Sequence, residues 1–415
     1  MSAFDRIEQR MPELMAELAP ATVPDYFDDM LRQSGRVRQR PAWASLERWL
    51  PMDVVARPVS LRGPALRPLL ILLLTGLLIA AGLALYAGSQ RTRLPEPFGP
   101  ARNGLVVVAT QDGDIAAVDP VTGTTSVLIG GPTNDLGPWF ARDGQHFMFV
   151  RLTSEDVGAY WVANADGSGA RELVHAPVEW FEWSDAGDRI VVVRRETGSR
   201  PASIVRVADG TVAPLAVIQT IEHAFWRPGH DQILFTTLGS QGKAAYFLIN
   251  ADGTDQERIA GVSPDAVNDP QFSADGSQLV YATWGLGEGL QGRIHILDID
   301  TGIDRALMFD GSAGTNELDP QFSPDGKSLL FERYLADDGG YRLVVAPVNG
   351  GSVTTIGPVH GTGTGGAATE FSPDGTQVLA TYEDDGSTWI LSLDGSAPQQ
   401  LPWSGGGTTW QRLAP

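Results

Sequence analysis

Six acidic residues recur at similar points of a repeating sequence, and they are the first candidates for chemistry. They are Asp135, Glu179, Glu222, Asp269, Asp319 and Glu370. Carboxylates that converge on one rim of a ring-shaped fold concentrate negative potential, which attracts cations or basic ligands. A binding ring is therefore one hypothesis for these acids. The other, which we favour, is that they only solubilise loop ends in an acidic chain.

Metal, cofactor and nucleotide sites have weak support in the sequence. The six histidines show no metal-ligand spacing beyond the loose pair His223 and His230, which we interpret as surface residues. Asp298, Asp300 and Asp304 surround a Thr-Gly hairpin without the glutamate that ends a calcium loop. The glycine-rich stretch 361–366 is not followed by lysine. We predict no metal, no cofactor and no small-molecule substrate.

The sequence also favours a protein that is not an enzyme. A hydrolase domain of the α/β type would need a Gly-x-Ser-x-Gly elbow, and the chain contains no such pentapeptide. The Asp boxes of sialidases need Asp-x-Gly spacing, whereas Asp325 and Gly326 are adjacent, as are Asp374 and Gly375. We interpret these pairs as turn residues.

Composition excludes further classes. The 415 residues include no cysteine, so disulfide scaffolds, zinc fingers and thiol enzymes are excluded. A net charge of −20 argues against a binder of phosphate backbones, and we predict no nucleic-acid partner. Residues 1–93 contain 12 arginines and nine acidic residues, so the remaining residues carry a net charge of −23.

The elements that must position these side chains belong to a repeat. The stretch DPQFSPDGKSLLF at 319–331 recurs with variations along the chain. One aromatic residue recurs in each copy. The intervals between successive copies are 43, 43, 46, 50 and 49 residues, and the aromatic residues are Phe140, Trp183, Trp226, Phe272, Phe322 and Phe371. Ser-Pro-Asp-Gly closes tight hairpins, and short β-rich runs lie between the turns. A period of this length holds four short strands, which predicts an all-β propeller in which the aromatic packs between neighbouring sheets.

The number of blades follows from the repeat marks. Seven glycine-marked hairpins are present, but the first unit lacks an inner strand. The segment TTWQRL at 408–413 supplies it and places Trp410 at the aromatic position. We therefore predict seven blades closed by strands from both ends of the chain, with six as the alternative. This pattern resembles the TolB-type propeller repeats over about residues 104–413, and the resemblance implies a fold whose members bind diverse partners.

An apolar segment precedes the propeller. The nineteen residues 69–87 carry no charge, which is enough helix to cross a bilayer core of about 30 Å. Eight arginines and two acids lie between Arg32 and Arg67. The positive-inside rule therefore predicts a single-pass plasma-membrane protein with a cytoplasmic N-terminus and a propeller outside. The predicted domains are a helical segment (1–68), a transmembrane helix (69–88), a linker (89–103) and the propeller (104–415).

The N-terminal segment has short amphipathic stretches that begin near prolines. Their apolar faces are too small to fold alone and suit folding onto a protein partner. The candidate partner-binding residues are Phe27, Met30, Leu31, Trp43, Leu46 and Trp49. The layout is similar to bacterial membrane-bound anti-sigma regulators, which implies a cytoplasmic sigma factor or another regulator as partner. A plain tether and a leader that lies on anionic lipid remain alternatives.

The sequence thus predicts a non-enzymatic, membrane-anchored propeller that binds a ligand or protein outside the membrane and signals through its cytoplasmic segment. The alternative is a structural scaffold of the cell envelope with no signalling role.

Overall fold

The computed structural model describes residues 72–79 and 94–414, apart from gaps at 153–157, 176–177, 197, 218, 239–243, 268, 284–291, 336–338, 362–365 and 405–406. Residues 72–79 are helical and exposed, and within the described residues no helix is both long and apolar enough to cross a membrane. The remainder of the predicted span, the segment 1–68 and its six candidate partner-binding residues lie outside the described residues.

The described residues 94–414 belong to one compact unit, which is an all-β propeller. Its 28 described strands form seven four-stranded antiparallel sheets. The first blades contain β1 (Arg102–Ala109), β2 (Ile115–Val118), β3 (Thr125–Ile129); β4 (Asn134–Phe140), β5 (His146–Leu152), β6 (Gly158–Asn164), β7 (Arg171–His175); β8 (Val178–Trp183), β9 (Arg189–Arg194), β10 (Ala202–Arg206) and β11 (Val212–Pro214).

The later blades follow the same order, with the last strand of the chain left over for the first blade. They contain β12 (Ala224–Trp226), β13 (Gln232–Leu238), β14 (Ala244–Asn250), β15 (Glu257–Arg258); β16 (Gln271–Phe272), β17 (Gln278–Ala282), β18 (Ile294–Asp298), β19 (Asp304–Ala306); β20 (Asn316–Phe322), β21 (Ser328–Leu335), β22 (Gly340–Pro347), β23 (Thr354–His360); β24 (Ala367–Phe371), β25 (Gln377–Tyr382), β26 (Ser387–Ser392), β27 (Gln399–Ser404) and β28 (Thr408–Leu413).

The two chain ends close the ring. Strand β28 pairs with β1, so that Trp410 lies opposite Val106, and the first blade has the order β28-β1-β2-β3. Every other blade takes its innermost strand from the start of its own sequence repeat. The prediction of seven blades closed from both ends is confirmed.

The repeated aromatics pack between blades as predicted. Seven core clusters match the seven interfaces; for example, Trp410 packs with Val106 of the first blade and Leu379 of the seventh. Phe140 similarly packs with Ile115 of the first blade and Phe147 of the second. Strand side chains alternate between the two faces of a sheet, so a single aromatic per inner strand fills each wedge-shaped interface.

The Ser-Pro-Asp-Gly turns have the predicted geometry. Between β20 and β21 the amide of Gly326 donates a hydrogen bond to the carbonyl oxygen of Ser323 at 2.8 Å, and Gly326 has φ of +68°. The Ser323 hydroxyl donates to the carboxylate of Asp325 at 2.7 Å. These local bonds close the hairpin without help from other blades, which explains why the motif can be recognised in the sequence.

Candidate functional site

Each innermost strand contributes side chains to the lining of the central channel. Side chains alternate along a strand, so the residue before each repeated aromatic points away from the interface that the aromatic fills, and in all seven blades this residue lines a channel cavity. The residues at this position are Thr409, Trp139, Glu182, Phe225, Gln271, Gln321 and Glu370. Their side chains differ from blade to blade, so the channel is chemically asymmetric even though the backbone repeats.

Charge is confined to one arc of the channel. Glu370, Arg412, Arg142 and Glu182 come from four consecutive blades, so two arginines lie between two glutamates. Nη2 of Arg142 lies 3.5 Å from Oε1 of Glu182. The backbone amide of Trp410 donates to Oε2 of Glu370 at 3.2 Å. The other arc contains Phe225 and two glutamines, so it is neutral.

Burial shifts the pKa of these channel groups. It raises the pKa of Glu370 to about 7, although the Trp410 amide, the Thr409 hydroxyl and both arginines favour its charged form. Burial also raises the pKa of Glu182, against the attraction of Arg142. The pKa of Arg412 falls to about 10, first through burial and then through repulsion by Arg142. Near neutral pH Glu370 is therefore only partly ionised, while Arg412 remains charged.

Two cavities share this charged arc. One, of about 330 Å³, extends to the end of the channel formed by the Ser-Pro-Asp-Gly turns and includes Phe98 of the preceding linker. The other, of about 590 Å³, extends towards the starts of the inner strands and has an aromatic wall. Its aromatic residues are Trp139, Phe140, Tyr160, Trp180, Phe181, Trp183 and Trp410. A cavity of this size with a few converging polar groups is typical of a site for a small organic ligand.

Three of the six predicted ring carboxylates are engaged by arginine. Asp135 is buried and accepts two hydrogen bonds from Arg151. Glu179 lies 2.8 Å from Nε of Arg200, and the same arginine pairs with Glu222 of the next blade. These carboxylates stabilise the blades and link the third blade to the fourth, and their charge is locally balanced.

The other three predicted carboxylates have different environments. Asp269 lies 2.6 Å from Nδ1 of His223. The side chain of Asp319 is exposed. Desolvation by the neighbouring protein, followed by repulsion from Glu332, Asp269 and Glu383, raises its pKa to about 6. Glu370 lies inside the channel among the charged arc described above.

The six acids therefore do not lie at one level of the channel. Measured along the sequence to the next repeated aromatic, Asp135 is five residues away, Asp319 three and Glu370 one. Each residue of a strand adds about 3.3 Å, so these offsets separate the carboxylates along the strand direction. Only Glu222 and Asp269 precede their inner strand as expected, whereas the other four lie within it. A binding role for the six acids stays a prediction.

The arginine pair, Arg142 and Arg412, is not among the residues predicted from the sequence. Arg142 follows Phe140 by two residues, which is the proline position of the Ser-Pro-Asp-Gly motif, and Arg412 follows Trp410 by two. The sequence does contain a sign of this pair, because arginine occupies the same repeat position in two neighbouring blades. Across the part of the chain that the structure describes, no group of three His, Asp or Glu side chains is arranged to hold a metal ion.

Comparison with known proteins supports the fold. No family model matches the chain, and no curated protein matches it in sequence. Among solved structures it is similar to TolB from Acinetobacter baumannii, at 17% identity and a TM-score of 0.50, with 74% of this chain and 82% of TolB covered. It is also similar to a periplasmic gluconolactonase from Pseudomonas aeruginosa, at 16% identity and a TM-score of 0.52, covering 74% and 99%.

A third similar structure is an oligogalacturonate lyase in complex with manganese, at 17% identity and a TM-score of 0.51, with 75% of this chain and 94% of the lyase covered. These identities are low, so the similarity establishes a fold and not an activity. The structures include enzymes beside TolB. The chain therefore has a TolB-like seven-bladed β-propeller fold.

Proposed function

We propose that this chain is a membrane-anchored, non-enzymatic binding protein whose propeller takes a ligand into its central channel. The charged arc of Glu370, Arg412, Arg142 and Glu182 carries this proposal. Placing two arginines and two glutamates in a partly buried channel costs stability, because desolvation opposes each charge, and ligand binding would account for their presence. Perturbed ionisable groups that line a cavity are typical of ligand sites.

The test is recovery of a bound molecule. The full chain is purified after exposure to a small-molecule extract of its source cell, and the ligand is released and identified by mass spectrometry. We expect a molecule that co-purifies with the wild type and is lost in Arg142→Ala. The matched control is Arg305→Ala, which alters an exposed arginine on the outer strand β19. Equal recovery from all three proteins would contradict a channel site.

The absence of catalysis is a separate part of the proposal. Two of the similar structures are enzymes, a gluconolactonase and a lyase, so the opposite result has a specific basis. The recovered ligand is incubated with the full chain and its mass is followed over time. An unchanged mass supports a binding protein. Conversion that depends on Glu370 or Glu182 would show an enzyme.

We propose further that residues 69–88 anchor the protein in the plasma membrane, with residues 1–68 in the cytoplasm and the propeller outside. The apolar composition of this segment and the arginines before it support the proposal. Labelling of the intact source cell with a membrane-impermeant amine reagent should modify Lys243 and Lys327. Labelling only after lysis would contradict an exterior propeller.

The N-terminal segment distinguishes a sensor from a scaffold. We propose that it binds a sigma factor or another regulator through the apolar residues predicted above, and that the propeller is the sensor. Affinity capture with the full chain is compared with capture by a chain that lacks residues 1–68. Loss of a regulator from the second sample supports signalling. If both samples recover only envelope proteins, the chain is a structural scaffold.

The predicted acidic ring also has a direct test. Asp269→Asn combined with Asp319→Asn removes the ring acid that contacts His223 and the ring acid whose pKa is raised to about 6. If the ring attracts cations or basic ligands, the double variant loses binding of a short polylysine peptide, measured by calorimetry at low salt. Unchanged binding would show that the acids act only on solubility.

A further inference from the structure

The linker before the first blade lies across one end of the channel. Phe98 and Gly99 line the cavity of about 330 Å³ at the end formed by the Ser-Pro-Asp-Gly turns. The guanidinium carbon of Arg142 lies 4.4 Å from the centre of the Phe98 ring, which is a cation–π contact. The aromatic side chain of the linker therefore contacts one member of the arginine pair.

The other arginine binds the backbone of the linker. Nη2 of Arg412 donates to the carbonyl oxygen of Gly99 at 2.7 Å and to that of Glu96 at 3.0 Å. The amide of Ala101 donates to the carbonyl oxygen of Pro373 at 2.8 Å, which secures the end of the linker to the seventh blade. Residues 94–101 of the linker are thus held by both channel arginines.

The hydrogen-bonding capacity of Arg412 is only partly used. Its Nε is buried and has no hydrogen-bond partner among the described residues, although its Nη2 binds two carbonyl oxygens. The Nε and Nη2 donors of arginine match the two oxygens of a carboxylate, and a charged acceptor gives a stronger bond than a backbone carbonyl. A carboxylate would therefore satisfy a donor that the linker leaves unsatisfied.

We propose that Arg142 and Arg412 form a binding site for the carboxylate group of a small organic acid, and that the linker occupies this site until the acid displaces it. The inference rests on the proposed ligand site in the channel and assigns its chemistry. The carbonyl oxygens of Glu96 and Gly99 take the place of the carboxylate oxygens, and the Phe98 ring covers Arg142.

The flanking glutamates restrict the charge of the acid. Glu370 and Glu182 lie on either side of the two arginines, and each opposes the approach of an anion when it is ionised. With both glutamates ionised the four side chains carry no net charge, so a dianion such as inorganic phosphate, which costs more to desolvate than a monocarboxylate, is disfavoured. The neutral arc with Phe225, Gln271 and Gln321 accommodates the uncharged part of the acid.

Ligand binding in the channel would affect the connection between the propeller and the N-terminal part of the chain. Residues 94–101 connect the N-terminal part of the chain to β1. Release of the linker from Arg412 and Arg142 changes how tightly this connection is held to the propeller. Occupancy of the channel is thereby linked to the freedom of the segment that leads to residues 1–93.

The experiment follows hydrogen exchange of the peptide that covers residues 94–101, by mass spectrometry on the full chain. N-acetylphenylalanine is the probe, because it carries both an aromatic ring and a carboxylate. Its neutral amide and inorganic phosphate are the controls. We expect the acid to accelerate exchange of the linker by about tenfold or more, because the loss of even one charge-assisted hydrogen bond has roughly this effect. The amide and phosphate should leave it unchanged.

Two test variants and one control variant complete the test. Arg412→Ala should accelerate linker exchange without any probe, whereas Arg305→Ala should not. Phe98→Ala removes the contact of the linker with Arg142 and should tighten binding of N-acetylphenylalanine several-fold, because a competitor has been weakened. Unchanged exchange in Arg412→Ala, or unchanged affinity in Phe98→Ala, would overturn the competition. Equal effects of acid and amide would overturn the carboxylate site.

The failure of this inference can be told apart from failure of the proposed function. If another molecule is recovered from the channel and leaves linker exchange unchanged, the channel binds a ligand and the linker does not compete with it. If linker exchange responds to Arg412→Ala but no probe or extract component binds, the linker contact is structural and both the carboxylate site and the proposed function are wrong.

Discussion

Arg151 donates two hydrogen bonds to Asp135, one from Nε and one from Nη2, each 2.8 Å long. Asp135 is only 1% exposed, and the guanidinium of Arg151 also lies 4.3 Å from the centre of the Trp161 ring. A similar pair occurs in the sixth blade, where Nη2 of Arg333 donates a single hydrogen bond to Oε1 of Glu317 at 2.7 Å. Both acids precede their repeated aromatic by five residues, so the buried ion pair is a feature of the repeat that two blades retain.

Asp135→Ala should strongly destabilise the propeller. The variant leaves Arg151 without its partner in a largely buried position, and breaking such a pair lowers the free energy of unfolding by roughly 3–5 kcal/mol. The double variant Asp135→Ala with Arg151→Ala should lose less, because no unpaired charge remains. Urea unfolding followed by tryptophan fluorescence measures both. The control Glu257→Ala, at an exposed site on β15, should change stability by about 0.5 kcal/mol or less.

Alanine substitutions at two glycines test how tightly β28 packs where it closes the ring. Gly144 and Gly123 have φ of +64° and +67°, so alanine is strained at both by a similar amount. A methyl group at Gly144 would overlap the carbonyl oxygen of Arg412 on the closing strand, whereas at Gly123 it would meet open space. Gly144→Ala should therefore lose about 2 kcal/mol more than Gly123→Ala in urea unfolding. Equal losses of stability in the two variants would show that β28 moves away from the added methyl group without an energetic cost.

Glu370 should make stability depend on pH. Its pKa is about 7 in the folded protein against 4.5 as the ordinary value, so between these values the folded state holds the extra proton. Stability from this group therefore rises as pH falls from about 7 to about 4.5. Glu370→Gln should raise the melting temperature at pH 8 and have little effect at pH 5. A shift of the same size at both pH values would contradict the raised pKa, and Glu257→Gln provides the control for loss of charge.

Asp319 combines a raised pKa with an unusual backbone. Its pKa is about 6 and its φ is +49°, a conformation that asparagine adopts more readily than alanine. Asp319→Asn should therefore stabilise the protein at pH 8, because it removes repulsion from Glu332 and Asp269 and keeps a tolerated backbone. Asp319→Ala removes the same charge and should be less stable than Asp319→Asn by about 1 kcal/mol. Thermal unfolding at pH 8 decides, and a more stable alanine variant would count against strain at this position.

Much of the fold could be predicted because its signals are local. The turn at Ser323 to Gly326 is closed by bonds among neighbouring residues, and the repeated aromatic at Phe140 or Trp183 marks each blade. Trp410 near the end of the chain identified the strand that completes the first blade. These features depend on residue type and spacing within one repeat, so a single sequence is enough to read them.

The candidate site could be predicted only in part. Glu370 was recognised as acidic and placed at a channel mouth, but the structure puts it inside the channel beside Arg412. Asp135 was also assigned to the mouth, yet it is buried with Arg151. An alignment of repeats locates a residue to within a few positions, and a shift of one position in a strand turns the side chain to the other face.

The repeat, the hairpin turns and the aromatic-marked closing strand can be read from residue type and spacing along the chain, and these features favour seven blades over six. No such spacing indicates that Arg412 contacts the carbonyl oxygen of Gly99, a residue 313 positions earlier, or that both arginines lie between Glu182 and Glu370. These contacts exist because distant segments converge in the folded ring. Seven inner strands from distant parts of the chain meet around one axis, and the chemistry of the channel depends on which side chain each strand turns towards it.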